Sequence, residues 1–500
     1  RTFSSLYETK IQHKEKETII KADRNILQRL ISAYQGGRKV DLNTILKHEL
    51  MNVPIALSHT NGVLRQGDKS LLADVLIGDI KCPTVVHIPE SSCLIIDGQA
   101  LVVSLGKPKE VKTFDELGAE YLNLVLTMGK DFQRVDVVFD SYRDESIKGT
   151  TRLMRNRKSR RIRRVIDSGD VPVPANFREF LAVPGNKSDL SSFLSNYLLQ
   201  NAPAEKVVVV SGGFKEEEET QSSSPRVNVQ NLKAKHEEAD TRIVLHAINC
   251  GKEHIVVASR DTDILILLLA HYSTIDCSQL YMRAGTFKKR KYIPVHDIHD
   301  SLALRSEECE ALIPFHAITG CDTVSYLAGH SKKTIWKHFK GNSKLLKDLG
   351  KGSLTAKKVN DAEMFVTKIY NVPDAKSCDD ARVKLFCMCK VQEALPPTSD
   401  AMKYHIERAH YQSLVWKQAD SPKPVLPEPV EMGWPRVNDE LVPLFMSLPA
   451  IPTACVDFAR CQCQSSACVT KRCTCRKVNL TCTEACGCTK KGECRNKLDE

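Results

Sequence analysis

Read for the alternation of apolar and polar positions, the chain changes character near Cys93. Before it, "ETIIKADRNILQRLISAYQ" (17–35) carries helical spacing, and residues 1–90 are expected to be a mainly helical region. After it, short runs of Val, Ile and Leu alternate with amphipathic segments. "SSCLIID" (91–97), "VDVVFD" (135–140), "EKVVVVS" (205–211) and "VVASRDTDILILLLAHY" (256–272) predict buried strands. "FDELGAEYLNLVLTMGK" (114–130) and "HEEADTRIVLHAI" (236–248) predict helices. Strands apolar on both faces, separated by helices, predict an α/β fold whose parallel sheet is flanked by helices on both sides. This core is assigned to 91–345, followed by a helical region with a proline-rich linker over 346–455 and a cysteine-rich segment over 456–500. There are no repeats of solenoid period.

Five hundred residues exceed one ordinary core, and 42% hydrophobic with 27% charged residues describes a globular protein. The longest apolar run, Ile264 to Ala270, is far too short to span a bilayer, and no secretory signal is visible, so no membrane partner is expected. A net charge of +11 favours an anionic partner. Part of it sits in "RLMRNRKSRRIRR" (152–164), with eight Lys or Arg in thirteen positions. Such a run serves as a solvated helix face, as a set of phosphate contacts, or as a nuclear localisation signal. A nuclear location is expected on that basis.

Carboxylates recur where the predicted elements end. Asp97 closes "LIID", Asp140 closes "VVFD", Glu238 and Asp240 open a helix, Asp261 and Asp263 adjoin the apolar run 256–272, and Asp322 stands in "AITGCDTVSYL". On a strand, Asp261 and Asp263 would project to one face, where two like charges are costly unless a cation neutralises them; the alternative is a simple turn. In an open parallel sheet the C-terminal strand ends line one crevice, so these carboxylates are expected to converge. Hard oxygen ligands suit Mg²⁺ or Mn²⁺, and two such ions about 3.5–4 Å apart serve in-line phosphodiester cleavage.

The ordered series "IIDG", "VVFDSYRDESIK…R", "EEAD", "SRDTD", "TGCD" resembles the nuclease core of the PIN-like superfamily, in its flap-endonuclease branch. The resemblance covers roughly residues 90–345. It implies that Asp97, Asp140, Glu238, Asp240, Asp261, Asp263 and Asp322 ligate two Mg²⁺ or Mn²⁺ ions, and that Lys148 and Arg155 contact the scissile phosphate. It also places the basic run, with Arg157, Lys158, Arg160 and Arg161, where the family has an arch that guides single-stranded substrate. Asp240 stands where the family usually has Glu, and "FDSYRD" replaces its "FDG". After "GCD", "LAGHSKKTIWKHF" keeps Gly329, Lys332 and Lys333 as DNA-backbone contacts but lacks the family's second glycine.

Nine of the 19 cysteines lie between Cys461 and Cys494: Cys461, Cys463, Cys468, Cys473, Cys475, Cys482, Cys486, Cys488 and Cys494. An odd, clustered set rich in Cys-x-Cys pairs reads as thiolate ligands rather than disulfides. Nine thiolates fill the tetrahedral shells of three Zn²⁺ ions when three sulfurs bridge. The spacing resembles the CXC domain of tesmin-like proteins, whose members bind DNA with an aromatic residue before the fourth cysteine. Arg472 occupies that position here, and one copy is present instead of the usual two. Cys387 and Cys389 before His405 and His410 form a looser pattern that needs no metal.

Together these readings predict a metal-dependent nuclease acting on DNA, with RNA left open, and carrying a zinc-cluster DNA-binding tail. The alternative is a catalytically inactive DNA- or chromatin-binding protein, and the fusion of such a core with a DNA-binding tail would suit descent from a mobile element.

Overall fold

Strand and helix boundaries follow the apolar runs closely in the central region. The computed structural model describes residues 8–13, 16–21, 30–34, 41–141, 147–149, 151, 162–286, 289–302, 306–388, 394–452, 460–464, 467–477, 479–488 and 494–497. Near the start, β1 (Glu8–His13) and β2 (Lys16–Lys21) pair antiparallel, so Lys16–Lys21, expected as helix, is a strand. β-Branched Thr18, Ile19 and Ile20 favour that state.

Seven strands make the main sheet: β3 (Ser92–Asp97), β4 (Arg134–Val138), β5 (Val207–Ser211), β6 (Thr220–Ser222), β7 (His254–Ala258), β8 (Gln279–Thr286) and β9 (Lys289–Pro294). Their spatial order is β6-β5-β4-β3-β7-β8-β9. The five central strands are parallel, while β6 and β9 are antiparallel edges. Alternation along β3 splits the core into two layers. Cys93 and Ile95 pack with the helices Ala239–Asn249, Thr262–Ala270 and Ser306–Ile318; Leu94 and Ile96 face the helices Phe114–Met128 and Pro184–Asn201. Full burial on both faces explains why the strands read as continuous Val/Ile/Leu runs.

The order matters for function. From β3 the chain proceeds outward through β4 and β5, then returns to lay β7 on the other side of β3. The crevice beyond the C-terminal ends of β3 and β7 is therefore a topological switch point, where open α/β sheets bind ligands.

Two expectations are corrected. The run after Asp261 is not a strand: β7 ends at Ala258 and Thr262–Ala270 is a helix. Every residue from Thr262 to Leu269 is buried, so neither a period of two nor of 3.6 shows in the sequence. The Asp261 side chain, accepting from Asp263 N at 3.0 Å, caps its first turn. Nor is the proline-rich part of 346–455 a linker throughout, because Ser399–Lys417 is a 19-residue helix. Its Met402 and Trp416 share one hydrophobic core with Ile95 and Val257 of the sheet.

Candidate metal centre at the switch point

Asp97 is the last residue of β3 and caps the helix Gly98–Leu105, accepting from Ala100 N at 2.9 Å. Asp140, two residues past β4, accepts from Ala239 N at 2.9 Å and so ties the strand end to the start of the helix Ala239–Asn249. That helix delivers Glu238 and Asp240. Its seat is rigid: buried Asp136 on β4 takes both Arg134 Nε and Nη2 at 2.7 Å and lies 2.6 Å from His246 Nδ1. Buried Arg242 donates to His236 O at 2.8 Å and to the Ser141 hydroxyl at 2.9 Å. Ser259 links the two central strands, its hydroxyl 3.5 Å from Asp97 Oδ2 while accepting from Asp261 N at 3.2 Å.

The result is a cavity of about 470 Å³ lined by Asp97, Asp140, Lys148, Asp240, Asp261 and Asp322. Asp240, Asp261 and Asp263 each bring a carboxylate oxygen within 4.8 Å of the others. Glu238 stands beside them, its Oε2 3.1 Å from Lys148 Nζ and 3.3 Å from Trp416 Nε1. All seven carboxylates picked out in the sequence thus meet in one place, although they span more than two hundred residues of chain.

Two lysines are set among them. Lys148 Nζ lies 3.2 Å from Asp240 Oδ2 as well as against Glu238. Lys69, unremarked in the sequence, reaches Asp263 at 2.7 Å, Asp322 at 3.0 Å and Asp261 at 3.5 Å. Buried His316 presents Nε2 to the other Asp263 oxygen at 2.7 Å and stacks on Trp416. No motif spacing pointed to Lys69, His316 or Trp416; each arrives from a distant element.

The ionisation pattern divides the site. Burial, reinforced by Asp140 and Asp261, pushes the Asp97 carboxyl up to about 6. Burial and the neighbouring Asp261 and Glu238 push Asp240 well above the carboxylate range despite Lys148, and burial with Asp263 raises Asp261. Burial also works against Asp263 and Asp322, but Lys69 overrides it and holds both below their ordinary values, with His316 assisting Asp263. Lys69 and Lys148 lose to burial but gain more from these carboxylates, so both are held protonated. Burial and mutual repulsion outweigh the two lysines at Asp97, Asp240 and Asp261. Oxygen-only donors of this kind fit a hard divalent cation.

Other expected contacts fare differently. Lys332 does not face a polyanion: it is 3% exposed and donates to His316 O and Thr319 Oγ1, each at 2.7 Å. It stands at the first turn of the helix Lys332–Asn342 on the side that packs inward with Ile335. Lys333, its neighbour, is exposed. Arg155, Arg157, Lys158, Arg160 and Arg161 lie outside the described residues. His405 and His410 are buried, with ring nitrogens at Ile318 O and on the Gly350–Gly352 turn, and Cys389 lies outside the described residues.

Among the tail cysteines, Cys461 Sγ lies 3.7 Å from Cys468, 3.8 Å from Cys482 and 3.6 Å from Cys488; Cys473 is 3.7 Å from Cys482, and Cys475 is 3.6 Å from Cys486. A tetrahedron of sulfurs with Zn–S of about 2.3 Å has edges of about 3.8 Å. The spacing is that of ligands around a common metal, not of disulfides, whose sulfurs lie about 2.0 Å apart. Among the described residues, Cys461 belongs to three quartets that could hold an ion: with Cys468, Cys482 and Cys488, with Cys463, Cys468 and Cys473, and with Cys473, Cys475 and Cys482. Cys494 packs at the edge of this cluster, and Arg472 is exposed beside it.

Neither a protein-family model nor a curated protein matches the chain. Among solved structures, it is similar to a bacteriophage T5 protein co-crystallised with metal ions, at 14% identity and a TM-score of 0.31 over 66% of this chain and 97% of that one. It is similar to the phage T5 flap endonuclease in a pseudo-enzyme-product complex with DNA and metal ions, at 14% identity and a TM-score of 0.30 over 66% and 96%. A third is the T5 5'-exonuclease with bound zinc, at 15% identity and 0.31 over 64% and 99%. TM-scores of this size carry no conclusion about activity. The class the fold defines is read from the sheet itself: an α/β protein with a mostly parallel seven-stranded sheet and an acidic cavity at its switch point.

Proposed function

We propose that the chain is a divalent-cation-dependent nuclease of the PIN-like, flap-endonuclease-like kind, acting on DNA. The observation that supports it most is the meeting of Asp97, Asp140, Lys148, Asp240, Asp261 and Asp322 in one cavity at the switch point, with Glu238 and Asp263 against it. Two Mg²⁺ or Mn²⁺ ions held by these carboxylates would supply the Lewis acidity for in-line phosphodiester cleavage. Asp140, accepting from Ala239 N, and Glu238, at the start of the helix seated by buried Asp136 and Arg242, are held in place by these contacts. Lys148 offers its ammonium to the phosphate, and Arg155 is assigned the same duty from the sequence pattern.

The cysteine tail is proposed as a three-zinc CXC domain that binds DNA, with bridging assigned first to Cys461 because it is common to the three quartets. Arg472 would enter the minor groove, and the protein would act in the nucleus. A second reading, a non-catalytic DNA- or chromatin-binding protein, draws support from Lys69, whose ammonium already neutralises part of the Asp261, Asp263 and Asp322 group. Incubation of the purified protein with branched and linear DNA separates the two. Cleavage that appears with Mg²⁺ and stops with a chelator supports the nuclease; binding without cleavage in either metal supports the second reading.

A further inference from the structure

Two rings buried behind the carboxylates each aim one polar hydrogen at them. His316, in the helix Ser306–Ile318, is fully buried, and Trp416, near the end of the helix Ser399–Lys417, is 1% exposed. The rings stack with centroids 5.5 Å apart and planes 27° from parallel. His316 Nε2 lies 2.7 Å from Asp263 Oδ1, and a carboxylate beside the Lys69 ammonium accepts, so the ring nitrogen donates. Trp416 Nε1 donates to Glu238 Oε2 at 3.3 Å. The Trp416 carbonyl lies 2.9 Å from Nε2 of His271, the cap of the helix Thr262–Ala270 that carries Asp263. Both carboxylates are thus braced from one stacked pair.

Packing alone does not call for these residues. With Nε2 committed to Asp263, His316 Nδ1 is a buried nitrogen without a hydrogen-bond partner, and an unpaired buried polar atom costs stability. A phenylalanine would fill the same place without that cost. What a hydrocarbon ring cannot do is select an oxygen. Asp263 Oδ1 is taken by His316 and Oδ2 by Lys69. On Glu238, Trp416 and Lys148 both meet Oε2, and among the described residues no hydrogen bond reaches Oε1. Each carboxylate is pinned by a ring N–H on one oxygen and keeps the other for a cation: Glu238 Oε1, and Asp263 Oδ2 in place of Lys69. A carboxylate restrained in this way offers one oxygen rather than two. That suits the small octahedral shell of Mg²⁺ or Mn²⁺, whereas Ca²⁺ takes larger shells and accepts both oxygens of a carboxylate.

We propose that His316 and Trp416 are positioning residues that set the metal preference of the site, by keeping Asp263 and Glu238 one-oxygen ligands. The proposal rests on the nuclease reading, since the cation concerned is the one assigned to that reaction. It gives the helix Ser399–Lys417, which follows the core in the chain, a part in the site.

The test uses the full-length protein with Trp416→Phe and His316→Phe, which keep a ring and remove the N–H, and with His316→Gln, whose amide restores a donor. Mn²⁺ affinity is read by electron paramagnetic resonance and Ca²⁺ affinity by competition with Mn²⁺, on preparations whose urea unfolding has been measured. Each Phe variant is expected to weaken Mn²⁺ binding about tenfold or more and to leave Ca²⁺ binding nearly unchanged, so the preference for Mn²⁺ falls. His316→Gln should recover most of it. Lost stability with an unchanged preference, equal losses for the two ions, or a Gln variant no better than Phe overturns the proposal. Where a Phe variant does not fold, the wild type decides. Labelled with ¹⁵N at the indoles of its three tryptophans, it should show an indole N–H resonance that shifts when Mg²⁺ is added, and three unmoved resonances overturn the proposal. A wild type that prefers Mn²⁺ and loses the preference in the Phe variants, yet cleaves no DNA, refutes the nuclease reading and leaves the positioning standing. A wild type that binds neither ion refutes both.

Discussion

Lys332→Met offers a quantitative check on the interior of the site's support. Lys332 is buried, hydrogen-bonded to His316 O and Thr319 Oγ1, and desolvation lowers its ammonium from an ordinary 10.5 to about 7. Each tenfold change in proton affinity is worth about 1.4 kcal/mol, so a full excursion from 10.5 to about 7 corresponds to roughly 5 kcal/mol. The sign follows from linkage. Below about pH 7 both folded and unfolded chains hold the proton, and the folded state bears the whole cost of burying a charge. As pH rises past about 7 the folded chain releases the proton while the unfolded chain keeps it until about 10.5, so stability increases with pH. Between pH 7 and 9 that gain integrates to about 2 kcal/mol. Lys332→Met lacks it. Relative to wild type, the variant is therefore expected to lose about 2 kcal/mol between pH 7 and pH 9, whatever its offset from the two lost hydrogen bonds. Urea unfolding followed by tryptophan fluorescence at the two pH values measures the difference. A variant-to-wild-type gap that does not move with pH refutes the burial argument, and a weakened affinity for DNA at constant fold would restore Lys332 to the phosphate contacts expected from sequence.

Three further outcomes follow from the geometry. Asp136→Ala strands Arg134 in the core and should cost about 3–5 kcal/mol in unfolding free energy; a loss under 1 kcal/mol would show that the Arg134–Asp136–His246 group does not anchor the helix carrying Glu238 and Asp240. Removing the ammonium among three carboxylates by Lys69→Met should tighten Mn²⁺ binding at least tenfold, read by electron paramagnetic resonance, and equal affinity would mean that Lys69 moves aside without cost. Stripping zinc with a strong chelator should unfold 461–497 while leaving the sheet's far-ultraviolet signal in place, and mass spectrometry of the native tail should count three ions; a count of one or two would redistribute the bridging sulfurs.

What sequence could reveal was what local order and strand ends dictate. Asp97 and Asp140 terminate strands buried on both faces, so the rule that parallel strand ends share a crevice brings them together before any coordinates are known. The order of β3, β4 and β7 around the switch point then collects Glu238, Asp240, Asp261 and Asp322 at the same edge. What stayed hidden depends on long-range packing. Lys69 lies nearly two hundred residues before Asp263, in a stretch with no motif, and only the docking of the helix Ser70–Ile77 brings it in. The Thr262–Ala270 helix looked like a strand because burial on every side erases periodicity. Lys332 looked like a surface cation because a side chain's direction from a helix's first turn is set by what the helix packs on. The helix Ser399–Lys417 is legible in "DAMKYHIERAHYQ", but the reach of its Trp416 to Glu238 is a matter of long-range packing.

The central claim is that the converging carboxylates hold cations that make this chain a nuclease. Asp261 tests it most directly, because it caps its helix at the cavity, contacts Lys69 and stands within 4.8 Å of Asp240 and Asp263. Cleavage of a labelled branched DNA in Mg²⁺ should be compared between wild type and Asp261→Ala, with Mn²⁺ binding measured on the same preparations. The account predicts cleavage reduced by about a thousandfold or more with weakened Mn²⁺ binding and retained DNA affinity, consistent with loss of electrostatic transition-state support. Equal Mg²⁺-dependent cleavage by the two proteins, or Mn²⁺ binding that does not change, would contradict it.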